Sequence, residues 1–330
     1  EELRARVGPP RAGDEEALAA AVEELLRAER EPGLLAPGAA RLGQALLSQW
    51  PLWRLLDRLA CGGWVQVKAA TPSAQSWPSA LPSYQMRVLQ HRSGLDGLIS
   101  SKIRAGQLPW CEPLVVQEFE RLLDARVAAA ARGAGAPARP LRMVEIGTHL
   151  GDCVLFAAAR AGCGQIRATG FEMVPRLAEL AQGSVERNGL QRCVDIRLAY
   201  LSGSDDPRPA PGGAPQTTLD AAVSGPVDLL RVSINTGRAD HVLRGAGRLF
   251  REHGVEALVL RSPALEVFEG VLGFLAELGP NRSSWAYEVN GAPRPARRVL
   301  ASVQEPLREV GSATLLARRR VGPVRKPQAR

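Results

Sequence analysis

Short apolar runs alternate with amphipathic segments through most of the chain after residue 140. Strands that alternate with helices are typical of a doubly wound, mainly parallel sheet. We therefore expect an α/β, Rossmann-like domain over residues 140–320. Apolar runs predict its strands at 143–146, 166–171, 193–201, 227–232, 255–260 and 312–319. Apolar residues with helical spacing predict helices at 175–187, 240–252 and 267–278.

The first 139 residues have a different pattern, in which helical spacing dominates. The segment GAGAPARP at 133–140 is typical of a linker. We therefore expect a mainly helical N-terminal region over 1–139, and a disordered basic tail over 321–330. The N-terminal helices are expected at 14–30, 39–60 and 114–132, and a short strand at 64–68.

The segment MVEIGTHLGDCVLFAAARAGCGQIRATGFE, 143–172, contains the most informative motif. It predicts a strand, a turn bracketed by Gly147 and Gly151, a helix that Asp152 opens as a side-chain cap, and a second strand ending at Glu172. A right-handed βαβ unit places the turn and Glu172 at the same edge of the sheet, where open α/β sheets bind ligands. An acid there suits the two hydroxyls of a ribose.

The spacing of this motif indicates which nucleoside cofactor it would bind. Glu145-x-Gly147-x-x-x-Gly151 is not G-x-G-x-x-G, so an NAD-dependent reductase is disfavoured. An acid on the first strand would repel a pyrophosphate but suits the cationic amino-acid part of S-adenosylmethionine. The pattern therefore predicts a methyltransferase-like cofactor site.

Segments further along the chain carry a family resemblance. Thr218-Leu219-Asp220 precedes the strand at 227–232, and Leu243, Gly245 and Ala246 lie in the next helix. Together with the first motif, over roughly 140–262, these segments resemble the FkbM-type class I methyltransferases. The resemblance implies a seven-stranded methyltransferase sheet and S-adenosylmethionine as cofactor. The residues expected to bind the cofactor are Glu145, Gly147, Thr148, His149, Gly151, Asp152, Glu172 and Ser202, of which Glu145, Gly147, Gly151, Asp152 and Glu172 match the family pattern.

The substrate side departs from the family pattern. Where the family has a lysine-led strand and Asp-x-Glu-Gly, this chain has Arg231, Ser233 and Asn235, and Arg261 stands where a glutamate is usual. We expect Arg231, Ser233 and Asn235 to line the acceptor site. Arg231 and Arg261 would favour an acidic acceptor, unless they point out to solvent or pair with Asp228 and Glu256. The N-terminal region is expected to cover this site, with Trp77 or Trp110 near it, although core packing is the simpler role for these rings.

Several residues in the motif have a second interpretation. Glu145 would hold the cofactor's amino group, or form a salt bridge at the strand end. Asp152 would cap its helix or contact the ligand. His149 would touch the methionine part or the substrate, or lie at the surface of the turn. A catalytic base is not identified by the sequence, and we expect methyl transfer by in-line positioning without a metal.

Composition and charge restrict the remaining possibilities. The net charge of +8 is concentrated in arginines near the C-terminus, and no aromatic residues interleave with them, so nucleic-acid binding is not expected. No apolar run reaches about 18 residues, so no membrane span is expected. Five cysteines without a Cys-x-x-Cys pair make zinc unexpected, and unpaired thiols favour a reducing compartment. The opening EELRARVG has no signal-peptide pattern, although a longer precursor could carry one.

These observations lead to two hypotheses. The first is an S-adenosylmethionine-dependent methyltransferase that acts on an oxygen of a small molecule or sugar. The second is a catalytically degenerate methyltransferase-like module kept for binding or interaction, because acids expected on the substrate side are replaced by Ser233, Asn235 and Arg261. The sequence does not indicate the oligomeric state or the compartment beyond the cysteine argument.

Overall fold

The computed structural model describes residues 62–68, 83–89, 103, 111–131, 139–203, 213–234, 239–278 and 285–320. Apart from Gly62 and Leu89, these residues fall within one compact unit, Gly63–Val88 with Ile99–Arg330. The predicted domain boundary at 139/140 remains a prediction. Trp77, Trp110, Asn235, the helices expected at 14–30 and 39–60 and the tail at 321–330 lie outside the described residues.

The described strands and helices alternate along the chain as the apolar pattern predicts. The strands are β1 (Gly62–Lys68), β2 (Ser83–Leu89), β3 (Leu141–Ile146), β4 (Ile166–Glu172), β5 (Val194–Leu198), β6 (Tyr200–Leu201), β7 (Gln216–Thr217), β8 (Val227–Ser233), β9 (Val255–Ser262), β10 (Trp285–Val289), β11 (Ala292–Arg294) and β12 (Ala313–Arg319). The helices are α1 (Pro113–Ala131), α2 (Asp152–Ala161), α3 (Pro175–Arg187), α4 (Leu219–Ala222), α5 (Ala239–Arg244), α6 (Leu265–Glu277) and α7 (Val299–Val310). A π-helical turn spans Leu249–His253, and a 3-10 turn spans Ala296–Arg298.

Eight strands form the central sheet, in the order β11-β10-β12-β9-β8-β3-β4-β5. The five strands β5, β4, β3, β8 and β9 are parallel, and β12 joins them antiparallel to β9. Short two-stranded sheets β1-β2 and β6-β7 lie outside it. The predicted doubly wound, mainly parallel α/β fold is confirmed. The eighth strand, β11, is added at the edge by a hairpin from β10.

Helices cover both faces of this sheet because the buried strands are apolar on both sides. On one face, Val144 and Leu230 pack with Phe268 of α6 and Val299 of α7. On the other face, α1 lies against β8, β9 and α2. The carboxyl ends of β3, β4 and β8 therefore meet at one edge, between the two helical layers.

Two elements differ from the pattern-based prediction. The strand expected at 193–201 is divided into β5, which pairs with β4, and β6, which pairs with β7 and whose Tyr200 N–H donates to the carbonyl oxygen of Pro215. The helix expected at 240–252 is interrupted after α5. At Gly245, which follows α5, a Cβ atom would lie 2.5 Å from the carbonyl oxygen of Ser202. Strands β2, β7, β10 and β11 and helices α4 and α7 were not predicted.

The cysteine prediction is wrong for four of the five cysteines. Cys111 and Cys153 form one disulfide and Cys163 and Cys193 form another, with Cα–Cα distances of 4.7 and 5.0 Å. The partners are 42 and 30 residues apart in sequence, so their proximity arises only in the folded chain. The inference of a reducing compartment from unpaired thiols therefore loses its basis.

Among the described residues, no helix combines the length and the apolar character needed to cross a bilayer.

Candidate active site

The turn between β3 and α2 depends on two glycines with left-handed backbone. Gly147 has a φ of 74° and Gly151 a φ of 81°. A Cβ at Gly147 would overlap the carbonyl oxygen of Ser233, and one at Gly151 would lie 3.2 Å from the Cβ of Ala181. Only glycine combines this conformation with so close an approach. The turn is thereby held against the end of β8 and against α3.

Glu172 lies at the end of β4 and is bonded to the turn, as the sequence predicts. Its Oε2 accepts a hydrogen bond from the backbone N–H of His149 at 2.8 Å, and its Oε1 accepts one from Val174 at 2.9 Å. The residue is 6% exposed. Each carboxylate oxygen can accept a second hydrogen bond, so the group retains capacity for ligand hydroxyls.

Glu145 pairs with Arg231, its register partner across β3 and β8. Its Oε2 accepts a hydrogen bond from the hydroxyl of Thr148 at 2.9 Å, and Thr148 in turn packs over Gly170 of β4. Burial raises the pKa of Glu145 to about 7, against the opposing effects of Arg231 and Thr148. The geometry matches the salt-bridge interpretation of Glu145, and its contact with a cofactor remains a prediction.

Arg231 lies at the centre of a buried ionic cluster that we call the carboxyl-end cluster, made of Glu112, Glu145, Asp152 and Arg231. Its guanidinium lies 3.5 Å from Glu112 as well as beside Glu145. Burial lowers the pKa of Arg231, but the three carboxylates outweigh this and raise it. The charge of Arg231 is therefore balanced within the protein. Arg261, at the rim, lies 3.4 Å from the same Oε1 of Glu112.

Asp152 does not act as the helix cap that the sequence predicted. The N-cap residue of α2 is Gly151, and Asp152 is the first helical residue. The left-handed turn at Gly151 shifts the helix start by one position, so the side chain of Asp152 lies buried. Burial raises the pKa of Asp152, and the charge of Arg231 opposes that effect.

Tyr84 of β2 reaches the same helix start from the N-terminal part of the chain. Its hydroxyl donates to the carbonyl oxygen of Asp152 at 3.4 Å. Burial, followed by the nearby charges of Asp152 and Glu145, raises the pKa of Tyr84. Strand β2 is also tied to α3, since the backbone N–H of Arg87 donates to the hydroxyl of Ser184 at 2.8 Å.

Two further predicted site residues, Ser233 and Ser202, lie at the ends of strands. Ser233 is partly buried, and its carbonyl oxygen faces Gly147. Ser202 is buried, and its hydroxyl accepts a hydrogen bond from Gln216 at 3.1 Å. The alternative pairing of the two arginines with Asp228 and Glu256 is not observed: Asp228 pairs with Arg126 and Arg139, and Glu256 pairs with Arg121.

The Thr218-Leu219-Asp220 triplet has a structural explanation. The hydroxyl of Thr218 caps α4 by accepting from the N–H of Ala221 at 3.2 Å. The carboxylate of Asp220 accepts from the N–H groups of Arg248 and Leu249 at 2.8 and 2.7 Å. The triplet thus fixes the π-helical turn at Leu249–His253. None of these hydrogen bonds involves the glycine turn or Glu172.

Sequence reasoning missed Glu112 and Tyr84. Tyr84 is 68 residues from its partner, and Glu112 is 119 positions before Arg231 (231 minus 112). Apolar periodicity carries no information about such distant contacts. Cys111 beside Glu112 and Cys153 beside Asp152 are the nearest signal, and the five cysteines alone do not specify which pair forms.

Comparison with protein-family models and with curated proteins finds no match. Among solved structures, the chain is similar to an O-methyltransferase from Bacillus cereus in complex with SAH, at 14% identity and a TM-score of 0.36 over 66% of this chain and 86% of that one. The chain is also similar to a precorrin-6y C5,15-methyltransferase from Geobacter metallireducens GS-15, at 13% identity and a TM-score of 0.35 over 60% of this chain and 88% of that one. The methyltransferase FkbM from Methylobacillus flagellatus KT is similar at 13% identity and a TM-score of 0.37 over 46% of this chain and 39% of that one. Similarity this distant carries no functional argument, so any assignment depends on the residues themselves.

Proposed function

We propose that this protein binds S-adenosylmethionine and transfers its methyl group to an oxygen of a small-molecule or sugar acceptor. The observation that carries the proposal is the bond between the glycine turn and Glu172. The N–H of His149 donates to the Glu172 carboxylate at 2.8 Å, so the turn and the acid form one unit at the carboxyl edge of the parallel sheet. Ligands of open α/β sheets bind at this edge.

The residues present fit this cofactor on its nucleoside side. Each oxygen of Glu172 accepts one backbone N–H and can accept a ribose hydroxyl as well. Gly147 and Gly151 supply the left-handed backbone of the turn and let it pack closely against the end of β8 and against α3. The cofactor would supply an activated methyl group on a sulfonium. Ser233, at the end of β8, would then lie toward the acceptor. Ser202 would lie toward the adenine of the cofactor.

The acceptor side gives less support to an acidic acceptor than the sequence suggested. Arg231 is buried between Glu112 and Glu145, so its charge is already compensated. Arg261 contacts Glu112 as well. The site therefore suits a neutral hydroxyl compound as well as an acidic one. We expect the residues around the acceptor to hold its oxygen in line with the methyl group.

A catalytically degenerate binding module is the second candidate, and one observation favours it. At the end of β8, Ser233 stands where the family carries an acid, and Arg231, two residues before it, engages Glu145 on β3. An acid that is needed as a base would be expected to keep its carboxylate available, whereas Glu145 is fully buried and bonded on both oxygens. This arrangement leaves cofactor binding possible without requiring transfer.

Isothermal titration with S-adenosylhomocysteine tests the proposal. We expect wild-type binding, and a loss of at least about tenfold in affinity for both Glu172→Ala and Glu172→Gln, since hydrogen bonds to a charged group contribute about 1.5–3 kcal/mol. Glu186→Ala, on the exposed side of α3, is the matched control and should bind as wild type. Absence of wild-type binding at millimolar ligand, or full affinity in both Glu172 variants, would refute the cofactor assignment.

Methyl transfer distinguishes the two candidates. The protein is incubated with S-adenosylmethionine labelled in the methyl group and with a panel of sugars and hydroxylated small molecules. Label in an acceptor supports the enzyme. Cofactor binding without label transfer to any member of the panel favours the binding module.

A further inference from the structure

Three side chains of the carboxyl-end cluster each keep one polar atom without a hydrogen-bond partner. These atoms are Oε2 of Glu112, Oδ2 of Asp152 and Nε of Arg231. The three residues are only 6, 7 and 6% exposed. Buried polar atoms in folded proteins are nearly always bonded, so three of them in one cluster indicate a missing partner. Two are acceptors on acids and one is a donor on a cation.

Glu145, the acid that the motif offers for a cofactor's amino group, already has a hydrogen-bond partner on each carboxylate oxygen. Its Oε1 bonds with Arg231 and its Oε2 with Thr148, and it is fully buried. Glu112 and Asp152, by contrast, each keep a carboxylate oxygen unpartnered. The acids with an oxygen left for a cation are therefore Glu112 and Asp152, and not Glu145 on β3.

The Cys111–Cys153 disulfide brings these two acids together. Cys111 directly precedes Glu112, and Cys153 directly follows Asp152, so a single covalent bond joins the two neighbouring positions, with a Cα–Cα distance of 4.7 Å. Both cysteines are buried. Glu112 precedes α1 and so comes from outside the 140–320 segment, and the disulfide fixes it beside the start of α2.

We propose that Glu112 and Asp152 bind the α-ammonium of an amino-acid group, that Nε of Arg231 donates to its carboxylate, and that the Cys111–Cys153 disulfide positions Glu112 for this contact. The proposal rests on the proposed function, because the cofactor named there ends in an amino acid. The cluster places three carboxylates around the buried guanidinium of Arg231, so each charged end of the zwitterionic amino-acid group has an opposite charge to meet there.

Two ligands that differ only at this end test the proposal. S-adenosylhomocysteine carries the amino-acid group, and methylthioadenosine has the same adenosine without it. In isothermal titration, Glu112→Gln should weaken S-adenosylhomocysteine by about tenfold or more while leaving methylthioadenosine unchanged, as expected for loss of a charged hydrogen bond. The double variant Cys111→Ser with Cys153→Ser should weaken S-adenosylhomocysteine in the same direction.

Matched controls are present in the same chain. Glu120→Gln removes a carboxylate of α1 that pairs with Arg160, away from the cluster. Cys163→Ser with Cys193→Ser removes the other disulfide, which joins the segment after α2 to the start of β5. Both controls should bind the two ligands as wild type does.

Each outcome has a definite meaning. If wild type binds both ligands and Glu112→Gln keeps the wild-type ratio of the two affinities, the inference is overturned and the proposed function stands. If wild type binds neither ligand, the proposed function fails and this inference with it. Should the double-serine variant of Cys111 and Cys153 lose its circular-dichroism spectrum, Glu112→Gln decides alone, because it retains both disulfides.

Discussion

Two ionic clusters that contain buried acids lie at opposite ends of β8, and they differ in how completely those acids are bonded. At the amino end, Asp228 is 2% exposed and accepts hydrogen bonds at 2.7 Å from Arg126, from Arg139 and from the backbone N–H of Arg142. At the carboxyl end, Glu112, Glu145 and Asp152 surround Arg231, and three atoms of that cluster have no partner.

The difference separates a structural role from a ligand-binding role. Both clusters carry buried charge, so buried charge by itself does not distinguish them. The amino end satisfies its acid completely, as expected where the only requirement is stability. At the carboxyl end, where parallel sheets bind ligands, two acceptors and one donor have no partner in the protein and can bond to a ligand.

The largest expected effect is on stability and comes from the amino-end cluster. Asp228→Ala should lower the free energy of unfolding by about 2–3 kcal/mol, because it removes a buried acceptor of hydrogen bonds from two arginines and a backbone N–H. Urea denaturation measures this. Affinity for S-adenosylhomocysteine should stay unchanged. Asp195→Ala, which breaks the exposed pair with Arg197, should change stability by less than about 1 kcal/mol. A loss of affinity in Asp228→Ala without loss of stability would contradict the division between the two ends.

The carboxyl end should show a pH dependence that Glu145 causes. Burial raises the pKa of Glu145 from 4.5 to about 7, so between these values the folded protein binds more protons than the unfolded chain. Stability from this group is therefore greatest at low pH and falls as pH rises from about 4.5 to about 7. The difference in unfolding free energy, wild type minus Glu145→Gln, should fall by about 2 kcal/mol across that window.

Urea denaturation of both proteins at several pH values in this window gives that difference, and the subtraction removes groups common to the two proteins. A difference that rises with pH would show that Arg231 holds Glu145 ionised throughout, and the assigned direction of its pKa would be wrong.

A smaller effect is expected at Thr148, which bonds to Glu145 inside the carboxyl-end cluster. Thr148→Val keeps the shape of the side chain and leaves Oε2 of Glu145 without its partner, which should lower stability by about 1 kcal/mol at neutral pH. It should also move the pH window of Glu145 upward, since the hydroxyl favours the charged carboxylate. Thr217→Val, whose hydroxyl bonds only to a neighbouring carbonyl at 3.4 Å, is the control. An unchanged pH window would show that the Thr148 hydroxyl does not affect the pKa of Glu145.

The sequence by itself determined the sheet domain and one half of the site. Apolar runs and helical spacing locate β3, β4, β8 and β9, because burial on both faces requires continuous apolar strands. The turn and Glu172 could be placed together from the chain order alone, since a βαβ unit has a fixed hand. These are local patterns and a topological rule, and both are readable without coordinates.

Only the tertiary structure decided the other half of the site. Tyr84 and Glu112 reach the turn from outside the motif, Arg231 turns inward to Glu145 86 residues away, and four cysteines pair across the fold. The interruption at Gly245 likewise depends on a carbonyl of Ser202. Contacts between residues so far apart in sequence are set by how packed elements meet. Periodicity reports which face of an element is buried, and it does not report which charged group the fold places opposite that face.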